Sequence, residues 1–394
     1  MAKASKSPQT LGLLLNKANK SLYKKSKEIP YNTNPLRYFT IERAIQDIEM
    51  YELGVFANVK LAFDRISTHD PLISVLLEKR LGALKQMDYQ VLTVDDSPAA
   101  NAQKLAVEDY LNSFDNLQEI LAEMEMASFL GYSVHEKLMQ GKEIIGLQNV
   151  PLEFIYKKEG MFYYCDRGAF GQAGGIPMDP DTIVVRHVEY PITPSLNILY
   201  TRKRENDINH DEFLENYSIP STFVVMPENV PAGQEQDYVE AAKGIINDSR
   251  GVLPYGSLVT QVRTTEDNNQ VFLSQLDKLN EQITLRVTGG LLTTLSLPQG
   301  IGSGSTDAHQ DTFKSIIQAD ATNISEIITK ELVNNFLSIH YPNQEKLAYF
   351  KLDSMDKKQV LANIILLKNA GFEFDPQYIS EVFGVKVKDT TPQI

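Results

Sequence analysis

The hydrophobic residues of this chain follow two periodicities, and the longer one predicts helices. In several stretches they recur every three or four residues, as on the buried face of a helix. Asp70 and Pro71 add a helix start, because aspartate caps a first turn and proline fits its first position. Gly131 is a typical helix end. These signals predict helices over residues 41–53, 70–87, 99–130, 195–217, 234–248, 270–287, 308–340, 357–370 and 375–383.

Shorter stretches alternate apolar and polar residues, which is the pattern of β-strands. They predict strands over residues 88–94, 131–138, 143–147, 153–156, 161–165, 182–187 and 222–226, and a strand pair at 252–254 and 257–262. Strands and helices do not alternate regularly along the chain. The order therefore predicts the α+β class, not a βαβ repeat.

The chain of 394 residues exceeds one ordinary compact core, so we expect two or three domains or one elongated protomer of a larger assembly. A charged helix over 195–217, a proline-bounded polar insert and a returning helix over 234–248 predict a projecting hairpin. Residues 1–40 are interpreted as a mobile basic arm, because the first 35 contain seven lysines and one glutamate. Such an arm touches nucleic acid or an acidic partner, or is a solvated tail.

Composition restricts the classes of function. A hydrophobic content of 42% and a charged content of 23% are typical of a soluble, folded protein. The net charge of −13 disfavours a tight DNA-binding domain, which would need basic residues to neutralise phosphates. Acidity either lets DNA slide past without sticking or only keeps the protein soluble. The single cysteine, Cys165, excludes an intramolecular disulfide, and we expect neither a membrane span nor a secretory signal.

No arrangement of residues predicts catalysis. The glycine- and serine-rich loop at 300–305 lacks the lysine of a phosphate-binding loop, and Asp307 is expected to cap a helix that starts near Ala308. The six histidines lack the spacing of a zinc site, and no G-x-S-x-G nucleophile motif occurs. We therefore expect no catalytic, metal-binding or cofactor-binding residue. A flexible loop between two long helices predicts instead a part that touches something passing by.

A basic cluster lies in the helix predicted over 195–217. Arg202, Lys203 and Arg204 would contact a phosphate backbone, or they would pair with acidic residues along or between neighbouring helices. The second interpretation is favoured, with Asp211 and Glu215 among the partners.

Several short motifs occur in an order that resembles a known family. In chain order they are Gly131-Tyr132-Ser133-Val134-His135-Glu136, Ser218-Ile219-Pro220, Val252-Leu253-Pro254-Tyr255-Gly256, residues 289–294, Gly304-Ser305 with His309, Ala319-Asp320-Ala321 and Leu367-Lys368-Asn369-Ala370-Gly371. Over about residues 40–390 this order resembles the phage Mu-like portal proteins of tailed bacteriophages. The chain departs from the family pattern at Ser218, where the family has glycine, and at Gly290 and Leu291, where it has a polar pair.

The resemblance implies a portal-type protomer of the α+β class, with a mixed α/β wing, a two-helix stem, a small β clip and a helical crown-like C-terminus. Portal proteins form a ring, usually of twelve subunits, at one capsid vertex, and they carry no catalytic activity and no cofactor. The implied partners are further copies of the chain, double-stranded DNA passing through without sequence recognition, the terminase large subunit, and capsid and head–tail connector proteins, with no membrane. The implied location is the virion, after assembly in the host cytoplasm.

The order of motifs also assigns parts of the chain. It implies a wing at 41–194, a stem at 195–250 with a clip at 218–232, further wing strands and long helices at 251–342 with a tunnel loop at 290–307, and a helical crown-like region at 343–394. The implied DNA-channel residues are Gly300, Gly302, Ser303, Gly304 and Ser305. The implied stem pairing involves Arg202, Lys203, Arg204, Asp211 and Glu215.

Two other classes of function stay open at this stage. The chain is another structural part of the virion, such as a connector or a baseplate component, or it is a head-assembly enzyme such as a nuclease or a protease. Connectors are usually much shorter, and a nuclease would require a carboxylate cluster that binds a divalent metal ion.

Overall fold

The computed structural model describes residues 36, 39–171, 174–217, 221–225, 233, 236–240, 243, 258–262, 266–290, 303–353, 364–366, 368 and 369. The helices are α1 Ile41–Glu52, α2 Ala57–His69, α3 Pro71–Lys85, α4 Pro98–Asn112, α5 Leu117–Leu130, α6 Thr193–Tyr217, α7 Glu266–Thr288, α8 Ser303–Ile328 and α9 Asn334–His340. A π-helical segment, Thr329–Val333, joins α8 to α9. Residues 236–240, 243, 364–366, 368 and 369 are also helical.

The strands in the described part of the chain form four small antiparallel sheets. They are β1 Asp88–Thr93, β2 Tyr132–Gln140, β3 Glu143–Asn149, β4 Ile155–Lys158, β5 Met161–Tyr164, β6 Ile176–Pro177, β7 Ile183–His187, β8 Ser221–Val225, β9 Leu258–Val262 and β10 Ala348–Asp353. The sheet orders are β1-β10, β3-β2-β7, β4-β5-β6 and β8-β9. This mixture of helices and separate sheets confirms the predicted α+β class.

Two hydrophobic cores hold the described residues together. The first packs α4, α5 and α8 against β1 and β10, and the second packs α1, α2 and α3 against β2, β4 and β5 and the ends of α6 and α7. The predicted apolar stripe of the long helix is buried in the first core, at Phe313, Ile317, Ile324, Ile328, Leu332 and Phe336. Both α5 and β7 contribute residues to both cores.

The local signals at two helix ends are confirmed. The carboxylate of Asp70 accepts the backbone N–H of Ile73 at 3.0 Å and caps α3. Gly131 ends α5 with a φ of 81°, a conformation that favours glycine. A Cβ on this residue would collide with the hydroxyl of Tyr51, which donates to the Leu130 carbonyl at 2.9 Å.

Several predicted boundaries were wrong. The helix predicted over 99–130 is two helices with a break at 113–116, and α2 was missed. The long helix begins at Ser303 instead of near Ala308, so Asp307 lies inside α8 and is not its cap. β9 pairs with β8, and the predicted partner at 252–254 lies outside the described residues.

The C-terminal region from 343 was predicted to be helical, but it is not purely helical. Its residues 348–353 form β10, which pairs with β1 in the first core, because Ala348, Phe350 and Leu352 alternate toward that core. The predicted strand 252–254, the arm of residues 1–35, most of the tunnel loop, most of the helices predicted over 234–248 and 357–370, and all of the helix predicted over 375–383 lie outside the described residues. No helix in the described part of the chain is both long and apolar enough to cross a bilayer.

Candidate functional site

The candidate site is the place where α7 ends and α8 packs beside it, because these helices flank the predicted channel loop. Gly289 follows α7 with a φ of 72°, and a Cβ there would lie 3.3 Å from the Thr312 methyl and 2.5 Å from Ile316 Cδ1. The end of α7 therefore abuts α8 at Thr312 and Ile316. From Thr312 back to its first residue, Ser303, α8 extends about 14 Å at 1.5 Å per residue.

A cluster of two arginines and two carboxylates lies beneath this junction; we call Arg80, Glu125, Arg186 and Asp320 the charge cluster. Arg80 contacts Glu125 at 2.9 Å and Asp320 at 2.5 Å. Arg186 contacts the same two carboxylates, Glu125 at 2.9 Å and Asp320 at 2.6 Å. Each carboxylate thus receives both guanidinium groups, and the formal charges of the four residues cancel.

The remaining donors of the arginines bind backbone and amide groups. Arg80 donates to the carbonyl of Val287, in the last turn of α7, at 2.9 Å. Arg186 donates to the Met124 carbonyl at 2.8 Å and to the Asn323 side chain at 3.1 Å. Through these bonds α3, α5, β7 and α8 are fixed to one another and to the end of α7.

Burial makes the charge cluster sensitive to the loss of any member. The side chain of Glu125 is 0% exposed and that of Arg186 is 1% exposed. Burial raises the pKa of Glu125, although Arg186 opposes the shift, Asp320 adds to it and Arg80 opposes it. A buried ion pair adds little net stability compared with an apolar pair, but removing one partner leaves a costly uncompensated charge. The cluster therefore fixes which helices pack together here.

Two of the five implied channel residues lie outside the described residues, and three do not lie in a loop. Gly300 and Gly302 belong to the first group. Ser303, Gly304 and Ser305 form the first turn of α8. The prediction of a loop at these three positions was wrong, because helix formation begins earlier than the glycine and serine content indicated. The undescribed segment between α7 and α8 is residues 291–302.

The basic cluster of α6 has partners other than those predicted. Lys203 forms an ion pair with Asp70 at 2.7 Å, and Arg204 donates to the Leu36 carbonyl at 2.8 Å. Arg202 is exposed and has no ion pair within the described residues. Asp211 and Glu215 are likewise exposed and without an ion pair in that part of the chain. The basic residues of this cluster therefore form no ion pair with Asp211 or Glu215 within the described protomer, and pairing between subunits stays a prediction.

Sequence reasoning missed three members of the charge cluster, although a signal for them exists. Arg80 stands between Leu76 and Leu84 at steps of four residues, inside an otherwise apolar helical stripe. Glu125 stands between Leu121 and Phe129 in the same way. A charged residue at such a position is buried and requires a partner. Asp320 was noticed only as part of the motif Ala319-Asp320-Ala321.

The turn motif at 131–136 adjoins the charge cluster, because its Ser133 lies opposite Arg186 in the pairing of β2 with β7. Its His135 is fully buried, with Nε2 at 3.4 Å from the Glu123 carboxylate. Among the described residues, no group of three or more His, Cys, Asp or Glu side chains is arranged to hold a metal ion.

The sequence model of the family described as the portal protein of Mu bacteriophage matches residues 61–385. The chain belongs to this family of portal proteins. No curated protein matches the chain significantly.

Two solved structures share the fold at low sequence identity, and a third is a weaker match. A chain from the virion of a native gene transfer agent particle has a TM-score of 0.56 and 10% identity, over 87% of this chain and 99% of that one. A chain from the neck of an empty gene transfer agent particle has a TM-score of 0.57 and 10% identity, over 80% and 90%. An HK97-family phage portal protein from Corynebacterium diphtheriae has a TM-score of 0.42 and 12% identity, over 73% and 93%.

Proposed function

We propose that this chain is the subunit of a ring-shaped portal at one vertex of a phage capsid. Double-stranded DNA would enter the capsid through the ring during packaging and leave through it at infection. The observation that carries the proposal is the match of the portal family over residues 61–385. The likeness in fold to chains of a virion and of a neck supports a place in the virion.

The charge cluster supports a mechanical role for α7 and α8 in this ring. Arg80 binds the end of α7 through Val287 and binds α8 through Asp320. The segment 291–302 would therefore rise from two helices whose bases are fixed together. None of the residues in this segment is charged. An uncharged segment held on a rigid base would follow a DNA surface without gripping phosphates or reading bases.

The chain would act as a structural part and not as an enzyme. The terminase large subunit and the head–tail connectors would dock on the projecting hairpin, with a stem at 195–250 and a clip at 218–232. The wing would comprise 41–194 and most of 251–342. Since β10 pairs with β1, the crown-like region would begin after Asp353 and not at 343.

Electron microscopy of the purified protein tests ring formation directly. We expect closed rings in negative stain and a single subunit number by native mass spectrometry, because a portal requires a heterologous interface that closes. A protein that is monomeric at every concentration and ionic strength would contradict the proposal. So would catalytic turnover dependent on Mg²⁺ or Mn²⁺, which the enzyme alternative requires.

A deletion tests the role of the segment between α7 and α8. Removing residues 298–302 ends one residue before α8, so the helix start is kept. We expect rings of unchanged subunit number and a loss of DNA packaging or retention. The matched control replaces the same five residues with a glycine–serine segment of equal length and should retain packaging. Loss of ring assembly in the deletion would show that the segment is an assembly element instead.

A further inference from the structure

A groove between α6 and α7 opens to solvent, and we call it the basic groove. It has a volume of about 560 Å³, and its lining includes the apolar side chains of Ile198, Leu199 and Leu285 together with Arg202 and Arg286. Leu285 is 44% exposed although it belongs to a helix that packs on the second core. The groove therefore presents an apolar surface with two guanidinium groups beside it.

The positive charge of the basic groove is not neutralised within the described residues. Arg202 is exposed and has no ion pair there. Arg286 donates to neutral acceptors, which are the Ser195 hydroxyl at 2.8 Å and the carbonyls of Tyr190 at 3.2 Å and Pro191 at 2.8 Å. Both charges can therefore attract an anionic partner.

A second groove lies between α3 and α5, and we call it the acidic groove. Its volume is about 570 Å³, and its lining includes the apolar side chains of Leu81, Ala122 and Met126 and the carboxylates of Glu119 and Glu123. Leu81 and Met126 are half-buried. This groove thus resembles the basic groove in size and in its apolar lining, but it has carboxylates where the basic groove has arginines.

One carboxylate of the acidic groove is left for a partner. Glu123 lies 3.4 Å from Nε2 of His135. Glu119, in the first turn of α5, is exposed and forms no ion pair in the described part of the chain. Lys85 lines the same groove, so its three formal charges sum to −1. Glu119 is therefore the residue of this groove that is best placed to receive a cation from another molecule.

We propose that the basic groove of one subunit packs against the acidic groove of a second copy of the chain, with Arg202 facing Glu119. The inference rests on the proposed function, because a ring requires two different patches of one chain that meet head to tail. The apolar side chains of both grooves would be buried at the centre of this contact, and the opposite charges would fix its orientation.

The apolar lining of the basic groove favours a protein partner over nucleic acid. A phosphate backbone is bound by Lys and Arg side chains and by other hydrogen-bond donors, and it makes no use of Ile198, Leu199 or Leu285. The net charge of −13 also opposes binding of DNA to this chain, whereas it does not prevent a basic patch from meeting an acidic one. Binding of duplex DNA in this groove is therefore an outcome that the experiment must be able to reveal.

Charge reversal tests the contact more sharply than charge removal. A surface ion pair contributes little by itself, whereas like charges placed against each other oppose association. We expect Arg202→Glu and Glu119→Arg each to weaken assembly about tenfold or more, measured as the concentration at which rings form in sedimentation velocity. The double variant restores an opposite pair and should assemble at nearly the wild-type concentration.

The matched control is Asp109→Arg, because Asp109 is exposed on α4 and has no ion pair within the described residues. It makes the same change of charge outside both grooves and should assemble like the wild type. Thermal melting of each variant shows whether the protomer stays folded. Equal assembly by the wild type and both single variants, or no recovery in the double variant, would overturn this inference alone. A wild-type chain that stays monomeric would overturn the proposed function and this inference together.

Cross-linking tests the identity of the partner residue directly. In a Cys165→Ser background, Arg202→Cys is combined with Glu119→Cys and treated with a short bis-maleimide. We expect a ladder of covalent oligomers that ends at the ring, and no ladder when either cysteine is present alone. Linkage of Arg202→Cys to itself would show a two-fold contact, and linkage within one chain would show that the two residues meet in the protomer; either result would overturn the inference. So would an Arg202→Glu variant that assembles normally but loses binding of duplex DNA.

Discussion

Replacing Asp320 with asparagine tests whether the charge cluster fixes α8. The carboxylate of Asp320 accepts from Arg80 at 2.5 Å, from Arg186 at 2.6 Å and from the Ser128 hydroxyl at 3.2 Å. Asparagine keeps the shape of the side chain but offers one acceptor oxygen. Its NH₂ group faces a guanidinium, so two donors oppose each other. The cluster then holds two cations and one anion.

The magnitude follows from the loss of one charged partner. A hydrogen bond to a charged group contributes about 1.5–3 kcal/mol, and removal of one partner of a buried ion pair costs about 3–5 kcal/mol. The Asp320 side chain is 15% exposed, so water compensates part of the loss and the lower end applies. We expect a decrease of about 3 kcal/mol in the free energy that holds α8 in place. At 1.36 kcal/mol per tenfold change, this is roughly a 150-fold increase in local opening.

Amide hydrogen exchange across residues 313–328 measures this opening without assuming two-state unfolding of the whole chain. Asp353→Asn is the matched control, because Asp353 pairs with Lys351 at 2.8 Å on the surface. Exposed pairs contribute about 0–1 kcal/mol, so exchange in the control should change by less than tenfold. If Asp320→Asn accelerates exchange no more than Asp353→Asn, the charge cluster does not hold α8 and the reasoning fails.

Three further tests give expected outcomes. Gly131→Ala should strongly destabilise the protein, because Gly131 has a φ of 81° and a Cβ would collide with Tyr51. Gly82→Ala is the control in the middle of α3, where a Cβ meets nothing, and it should stabilise the protein by up to about 1 kcal/mol. Equal melting temperatures for the two variants would contradict this expectation. Burial and Lys157 lower the pKa of His187 below its ordinary 6.5, so the folded protein resists protonation of this residue and its free energy of unfolding should fall as the pH drops through 6.5. Lys157→Met should move the pKa of His187, measured by histidine C2 hydrogen exchange, toward 6.5. An unchanged pKa in this variant would contradict the assigned cause. Charge reversal at Arg202 and Arg204 should weaken oligomerisation, and Arg202→Glu alone should do so without changing the stability of the protomer. Lys203→Glu should lower that stability, because it removes the ion pair with Asp70. An unchanged sedimentation profile for Arg202→Glu would show that this residue is only solvated.

The sequence predicted elements best where local signals and tertiary packing agree. The cap at Asp70 and the glycine end at Gly131 depend on neighbouring residues only, and both are confirmed. The apolar stripe of α8 was found because its spacing repeats over many turns. In contrast, β10 alternates correctly at 348–353 but was assigned to a helical region, since its partner β1 lies about 260 positions earlier.

The candidate site was harder to predict because its members come from four distant elements. Arg80, Glu125, Arg186 and Asp320 are unremarkable one by one in sequence. Only the fold brings α3, α5, β7 and α8 together, and no local pattern specifies which buried charge meets which. The first turn of α8 was misassigned for a different reason. Glycine and serine lower intrinsic helix propensity, but tertiary context overrides such a preference.

The π-helical segment Thr329–Val333 explains the spacing of the buried apolar residues around it, which a regular α-helix would not keep on one face. Ile324, Ile328, Leu332 and Phe336 follow one another at steps of four residues. On a regular α-helix each such step overshoots a full turn by about 40°, so Phe336 would face about 120° away from Ile324. The wider turn at 329–333 removes part of this angular drift, and Phe336 still stacks on Tyr110 with ring centroids 4.4 Å apart. The four-residue spacing of the apolar side chains therefore depends on the wider turn. A single-residue deletion here would rotate α9 about its axis, relative to α8, by about a quarter of a turn.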